Sequence, residues 1–219
     1  MERLKLVIFD MDGLLFDTEW PSYLAMKKAV EGRGLSFPIS NYRQLIGLHG
    51  SMSRSVLDTI YDGKLEIESV IEEYRIRFGE ILETEGVSLK PGAEQLLNWL
   101  EEQKIKKCIA SSSSRSTIAD YLKRVGFESR FDFFISGSEV ENGKPHPDIF
   151  IEACRRVGEN PTAAIVLEDS LNGLLAAHAA NIRCILIPDL IEPTTEMNKK
   201  AYFTLPDMEK AIPIIKALI

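Results

Sequence analysis

Two carboxylates stand directly after a short apolar run near the start of this 219-residue chain. Asp10 and Asp12 follow the run Leu6–Phe9, and Gly13 comes next. In an extended chain, residues two apart point to the same side, so both carboxylates can face one site while Met11 packs away from it. Gly13 lets the chain leave the strand sharply. The pair therefore has the spacing of two groups that share one site.

Three further apolar runs end near residues that could bind a phosphoryl group or a metal. These are Ser111 and Ser112 of a four-serine run, Lys144 in a Gly-Lys-Pro loop, and the adjacent carboxylates Glu168 and Asp169. Mg²⁺ prefers oxygen ligands, usually one or two carboxylates together with water and substrate phosphate. A lysine offers a point charge to a phosphate oxygen, and a serine offers a hydrogen bond. The set predicts a phosphoryl and Mg²⁺ site in which Asp10 and Asp169 supply carboxylates.

Three of these motifs also have a simpler explanation. An Asp-x-Asp-Gly sequence is often a solvated turn. Lys144 could be an ordinary surface lysine, and Glu168-Asp169 could cap the following helix. A calcium loop is excluded by spacing, because Leu15 and Pro21 stand where that loop needs Gly and Glu. The occurrence of four such motifs, each after a strand, favours the functional interpretation.

Alternating strand and helix patterns place these motifs. The predicted strands are Leu4–Phe9, Lys107–Ser111, Phe131–Ser136, Ala164–Leu167 and Ile182–Ile187. The predicted helices between them run from Pro91 to about Gln103, from Arg115 to Val125, from Pro147 to Gly158, and from Ser170 to about Asn181. This alternation predicts an α/β fold with a doubly wound parallel sheet of the Rossmann type. In such sheets, ligands bind beyond the carboxyl ends of the strands.

One long segment interrupts the alternation. Residues 17–86 show helical patterns at Trp20–Val30, Tyr42–Ile46, Ser53–Ile60 and Ile67–Leu82, with no convincing strand. We therefore expect an α-helical cap domain over 17–86, inserted into a core domain formed by residues 1–16 and 87–219.

Composition narrows the functional classes. The net charge is −7, so the chain lacks the basic surface that binding to nucleic acid requires, and no nucleic-acid partner is expected. No run approaches the roughly 18 apolar residues of a membrane span, and the first apolar run is too short for a signal peptide, so no membrane association is expected. Three widely spaced cysteines are typical of buried thiols in a reducing compartment, which predicts a cytoplasmic protein.

Taken together, the motifs resemble those of the haloacid dehalogenase-like hydrolase superfamily, in the branch of β-phosphoglucomutase and the sugar-phosphate phosphatases. The matching segments are Phe9–Gly13 with Asp17–Glu19, Ala110–Ser113, Gly143–Pro145 with Pro147–Phe150, and Leu167–Ser170 with Gly173. The resemblance covers nearly the whole chain. It implies a Rossmann-like core with a helical cap inserted after the first strand, and a monomer.

The resemblance also implies a role for each core residue. Asp10 would attack phosphorus and form an aspartyl-phosphate, and Asp12 would act as general acid and then general base. Mg²⁺ would be held by Asp10, the backbone carbonyl of Asp12, and Asp169, with Glu168 as a further or outer ligand. The phosphoryl group would be bound by Ser111, Ser112 and Lys144. The substrate would be a small phosphorylated metabolite.

Within the superfamily, three functions stay open. The acid at Asp12 argues against a dehalogenase. Mutases of this branch carry a histidine and a cap arginine where this chain has Ser22 and Gly50, which favours a phosphatase over a phosphosugar mutase. A non-catalytic phosphate-binding regulator is the third alternative. The cap residues expected to approach the substrate are Gly47, Leu48 and His49.

Overall fold

A computed structural model describes residues 2–48 and 50–219, which pack as two compact units. The first unit contains the chain up to Asp17 and the segment Ser88–Ile219, and the second is Thr18–Val87. The first unit is built on a sheet, and the described part of the second is helical.

The sheet of the first unit has six strands, all parallel, in the order β3-β2-β1-β4-β5-β6. They are β1 (Leu6–Phe9), β2 (Lys106–Ser111), β3 (Phe133–Ser136), β4 (Ala164–Glu168), β5 (Arg183–Leu186) and β6 (Phe203–Thr204). This topology confirms the predicted doubly wound α/β class. Strands β1 and β4 are buried along their whole length, as expected for central strands covered on both faces. The edge strand β6 was not predicted, because its two residues are exposed and form no apolar run.

Within the described part of the chain, ten α-helices complete the two units. They are α1 (Glu19–Glu31), α2 (Ile39–Tyr42), α3 (Ser51–Tyr61), α4 (Ile67–Thr84), α5 (Ala93–Glu102), α6 (Arg115–Arg124), α7 (Asp148–Val157), α8 (Leu171–Ala179), α9 (Thr195–Lys200) and α10 (Ala211–Lys216). Short 3₁₀ turns lie at Gly137–Glu139 and Pro161–Ala163. No helix over residues 2–48 and 50–219 is long and apolar enough to cross a membrane.

The helical unit has its own aromatic core. The rings of Phe37 and Tyr42 pack around Tyr23, and their centroids lie 6.3 and 5.5 Å from the centroid of the Tyr23 ring.

The prediction of a helix at Tyr42–Ile46 was wrong. The helix in this region is α2, which ends at Tyr42, where the predicted helix begins. Pro38 stands at its N-cap in extended conformation, and the helix begins at the next residue, Ile39, earlier than the apolar pattern indicated.

Parallel register gathers the strand ends of the first unit. Phe9, the last residue of β1, pairs with Ile109 on one side and with Leu167 on the other. The residues that follow, Asp10 and Glu168, are therefore level with each other on neighbouring strands. A buried apolar cluster fills the space beneath, and it includes Ile8, Val166, Phe150 and Leu174, as well as all three cysteines, which are free thiols.

A backbone approach between two loops fixes the start of α5. Gly92 has φ +80°, and a Cβ at this position would lie 2.2 Å from the backbone nitrogen of Glu209. Because a backbone atom cannot swing aside, only glycine fits here without moving one of the two loops.

We expect Gly92→Ala to lower the free energy of unfolding by roughly 2–4 kcal/mol. This figure is the sum of two costs, that of the left-handed backbone conformation and that of overpacking. Gly126→Ala is the matched control, because Gly126 has φ +70° but a Cβ added to it would meet no atom within 4 Å. It should cost only about 1 kcal/mol. Urea unfolding of both variants checks this, and equal losses would contradict the proposed loop contact.

Candidate active site

Asp10 occupies the first position beyond β1. Its backbone N–H donates to the carbonyl of Leu167 at 3.0 Å, which keeps this residue in the sheet. The chain then turns through Gly13, whose φ is +79°. Met11 is buried and Asp12 is partly exposed, so the two side chains take different environments as the spacing predicted.

Lys144 joins the first motif to the fourth. Its Nζ donates to Asp10 Oδ1 at 2.5 Å and to Glu168 Oε1 at 2.6 Å. Only 5% of its side chain is exposed, and the ammonium lies 5.0 Å from the centroid of the Phe150 ring. A buried lysine between two carboxylates is a structural ion pair as well as a potential phosphate ligand, so the simple surface interpretation is excluded.

Glu168 is the most enclosed carboxylate of the site, with a side chain that is 1% exposed. While Oε1 accepts from Lys144, Oε2 accepts from both the backbone N–H and the hydroxyl of Ser170, each at 2.9 Å. Ser170 is also the N-cap of α8, since its hydroxyl accepts from the N–H of Gly173. Both oxygens of Glu168 are therefore fixed by hydrogen bonds.

Three buried carboxylates converge at this edge of the sheet. Asp10, Glu168 and Asp169 each place one oxygen within 4.8 Å of the others. An all-oxygen, anionic cluster is the donor set that Mg²⁺ prefers. Lys144 alone does not neutralise three carboxylates. The residues present thus fit a divalent cation.

The pKa of Asp10 is shifted by this arrangement. Burial raises the pKa of Asp10 from 3.8 to about 7, and the carboxylates of Glu168 and Asp12 add to the effect, although Lys144 opposes it. Burial would by itself lower the pKa of Lys144, but Asp10 and Glu168 raise that pKa above its ordinary value, so the amine stays protonated. The site therefore favours a bound cation over a cluster of bare carboxylates.

The serine run that begins at the last residue of β2 contacts Asp12. Ser113 Oγ donates to Asp12 Oδ2 at 2.6 Å, and Ser113 N donates to Ser111 Oγ at 3.0 Å. Ser111 is buried at the end of the strand, Ser112 is partly exposed, and Ser114 caps α6 by accepting from the N–H of Thr117. Sequence reasoning selected Ser111 and Ser112 but missed Ser113, because nothing in four identical residues marks the one that reaches Asp12.

The predicted substrate contacts of the helical unit are only partly described. Gly47 and Leu48 lie partly exposed after α2, with Gly47 at φ +75°. His49 lies outside the described residues. The substrate-contact role of all three stays a prediction.

The chain is similar to known proteins along most of its length. The haloacid dehalogenase-like hydrolase family profile matches residues 7–187, a range that contains all four motifs.

Individual relatives agree with this match. A phosphorylated carbohydrates phosphatase from Thermotoga maritima is 31% identical over 83% of this chain and 84% of its own. A protein from Drosophila melanogaster named as a probable pseudouridine-5'-phosphatase is 34% identical over 93% of this chain and 89% of its own. The crystal structure of CbbY from Rhodobacter sphaeroides, in complex with xylulose-1,5-bisphosphate, has a TM-score of 0.76 at 25% identity, covering 94% of this chain and 96% of that one.

The pKa of Asp10 predicts how the metal-free protein responds to pH. Between pH 3.8 and about 7, folded Asp10 keeps a proton that the unfolded chain has released, so its contribution to stability falls as the pH rises through this window. In EDTA, the stability of Asp10→Asn relative to the unchanged protein should increase from pH 5 to pH 7, by at most about 1.4 kcal/mol per pH unit. It should level off above about pH 8.

Urea unfolding at several pH values measures this difference. A difference that does not change with pH would show that Asp10 ionises as readily in the folded chain as in the unfolded one.

Proposed function

Because the chain belongs to the haloacid dehalogenase-like hydrolase family, we propose that it is a magnesium-dependent phosphatase that hydrolyses a small phosphorylated metabolite, with a sugar phosphate as the favoured substrate class. The observation that carries this proposal is the buried cluster of Asp10, Glu168 and Asp169 with Lys144 hydrogen-bonded into it. The names of the relatives support a phosphoric monoester as the substrate, and one of them acts on phosphorylated carbohydrates.

Asp10 is the proposed nucleophile. One of its carboxylate oxygens attacks phosphorus, the bond from phosphorus to the substrate oxygen breaks, and an aspartyl-phosphate forms. Water then attacks the phosphorus of this intermediate, which releases phosphate and restores the carboxylate. The hydrogen bond from Lys144 orients Asp10 for this attack.

Asp12 is the proposed acid and base. It gives a proton to the departing substrate oxygen and later removes one from the attacking water. Ser113 supports this role because its hydroxyl holds one carboxylate oxygen of Asp12 in place. Partial exposure of Asp12 allows the proton to exchange with solvent between the two steps.

Mg²⁺ would be held by Asp10, Asp169 and the backbone carbonyl of Asp12, with Glu168 as a further or outer ligand. When bound, it neutralises charge on the phosphoryl group and on the nucleophile. Lys144 and Ser111, with Ser112 beside it, then bind phosphoryl oxygens and stabilise the charge that develops in the transition state.

The helical unit, Thr18–Val87, is proposed to act as a cap that selects the substrate. In this role Gly47, Leu48 and His49 are the substrate-contact candidates. The monomeric state and the cytoplasmic location expected from the sequence stay predictions.

A phosphosugar mutase is the alternative within the family. One contact in the helical unit disfavours the mutase. Ser22 stands where the resemblance places a mutase histidine, and its hydroxyl forms a hydrogen bond with the hydroxyl of Tyr74 at 2.9 Å. Gly50 offers no charge to a second phosphate. A non-catalytic regulator is disfavoured by the complete set of acidic and basic groups at the site.

Phosphate release from a panel of hexose, pentose and polyol phosphates, with Mg²⁺ and with EDTA, tests the proposal. Metal-dependent release of phosphate is expected. Interconversion of glucose phosphates in the presence of a bisphosphate, without release, would favour the mutase, and neither activity would favour the regulator.

Two substitutions test the assigned roles. Asp10→Asn should lower kcat by at least about a thousandfold, because an amide is a far poorer nucleophile toward phosphorus than a carboxylate. Asp12→Asn should lower kcat by roughly 10²–10⁴-fold, the usual contribution of general acid–base catalysis. Steady-state kinetics at saturating Mg²⁺ measures both.

Asp58→Asn is the matched control, since Asp58 is exposed on α3 in the helical unit. It should leave kcat unchanged. Turnover by Asp10→Asn at the unchanged rate would contradict the covalent mechanism.

A further inference from the structure

A side chain of the active site fills the space that a side chain at residue 173 would need. Gly173 is buried in the first turn of α8, and a Cβ built on it would lie 1.7 Å from Oε1 of Glu168 and 1.9 Å from its Cδ. The three nearest atoms all belong to the Glu168 carboxyl group, and none is backbone. The absence of a side chain at Gly173 therefore leaves space for the Glu168 carboxyl group. It is not required by a close approach of two backbone segments.

We propose that Gly173 is a positioning residue: the absence of its side chain gives the Glu168 carboxylate its place, and Glu168 in turn holds Lys144 against Asp10. This inference rests on the proposed phosphatase function and adds to it a residue that touches neither substrate nor metal.

The carboxylate cannot simply move away from a new methyl group. Oε2 of Glu168 is fixed by two hydrogen bonds from Ser170, and Oε1 is fixed by Lys144 at 2.6 Å. The side chain is 1% exposed, so it has little access to solvent into which it could swing. A displacement would break at least one of these bonds within a buried, charged cluster, which is costly.

Helix and carboxylate are also linked through one residue. The hydroxyl of Ser170 donates to Glu168 Oε2 and accepts from the N–H of Gly173 at 3.1 Å. The start of α8, the Glu168 carboxylate and the ammonium of Lys144 thus form one connected chain of hydrogen bonds that ends on Asp10.

Loss of Glu168 from its position would change the chemistry of Lys144. Its ammonium has Asp10 and Glu168 as hydrogen-bond partners. Without Glu168 it would either pair more fully with Asp10 or leave the site. The first change makes Asp10 a weaker nucleophile, and the second removes charge from the phosphoryl site. Both changes lower kcat.

The test is a cycle of three variants, Gly173→Ala, Glu168→Asp and the double variant, assayed with p-nitrophenyl phosphate at saturating Mg²⁺. Gly173→Ala should lower kcat by roughly 100–1,000-fold, the loss found when one transition-state contact is removed. Aspartate is shorter by one methylene, about 1.5 Å, and withdraws the carboxyl group from the new methyl. In the Glu168→Asp background, Gly173→Ala should therefore lower kcat by no more than about threefold.

Gly79→Ala is the control, because Gly79 is a helical glycine of α4 with no atom within 4 Å of the Cβ position. It should keep the kcat of the unchanged protein. Unchanged kcat in Gly173→Ala, or a fold-loss caused by Gly173→Ala that is as large in the Glu168→Asp background as in the unchanged protein, would overturn the proposal. If Gly173→Ala does not fold, Glu168→Asp is compared with the double variant instead. A double variant that also fails to fold would overturn the proposal.

Thermal unfolding of the same cycle in EDTA separates this inference from the phosphatase function. The drop in melting temperature caused by Gly173→Ala should be smaller when residue 168 is aspartate, whether or not the protein hydrolyses any phosphate. Equal drops in both backgrounds would refute the contact between Gly173 and Glu168. An unchanged protein that releases no phosphate would instead refute the phosphatase.

Discussion

Burial of several carboxylates at one end of a parallel sheet is the constraint on which this site depends. Asp10, Glu168 and Asp169 are each less than a tenth exposed, and their oxygens lie within 4.8 Å of one another. Taking such groups out of water costs several kcal/mol for each uncompensated charge. Lys144 offsets part of this cost, and a divalent cation would offset the rest. The carboxylate cluster thus lowers local stability, and in the proposed function this cost maintains a charged site that can bind a phosphoryl group.

Different surroundings give the two aspartates of the first motif different properties. Asp10 is buried and accepts a hydrogen bond from the ammonium of Lys144, and burial raises the pKa of Asp10 to about 7 in the metal-free chain. Asp12 is partly exposed and bonded to a neutral hydroxyl. A cation beside Asp10 would lower its pKa again and keep it ionised for attack. In the proposed mechanism, these environments, and not the residue type, assign Asp10 to attack on phosphorus and Asp12 to proton transfer.

The sequence predicted well those features that follow from apolar runs and their ends. Five of the six strands were found, and with them the edge of the sheet where Asp10, Lys144 and Glu168 meet. The exposed strand β6 was not predicted, and the helix α2 was predicted at the wrong residues, because neither segment has a clear periodicity. Contacts across strands are a different matter. The bond from Ser113 to Asp12 and the space that Gly173 leaves for Glu168 depend on side-chain directions that spacing along the chain does not determine.

A chemical trap of the covalent intermediate tests the central claim most directly. The protein would be mixed with acetyl phosphate and Mg²⁺, quenched in acid during turnover, digested, and its peptides compared by mass spectrometry. The mechanism predicts one added phosphoryl group on the peptide that contains Asp10, sensitive to hydroxylamine as an acyl phosphate is, and none on Asp10→Asn. Continued release of phosphate with no modification of Asp10 at any quench time would contradict it, and direct attack by water would take its place.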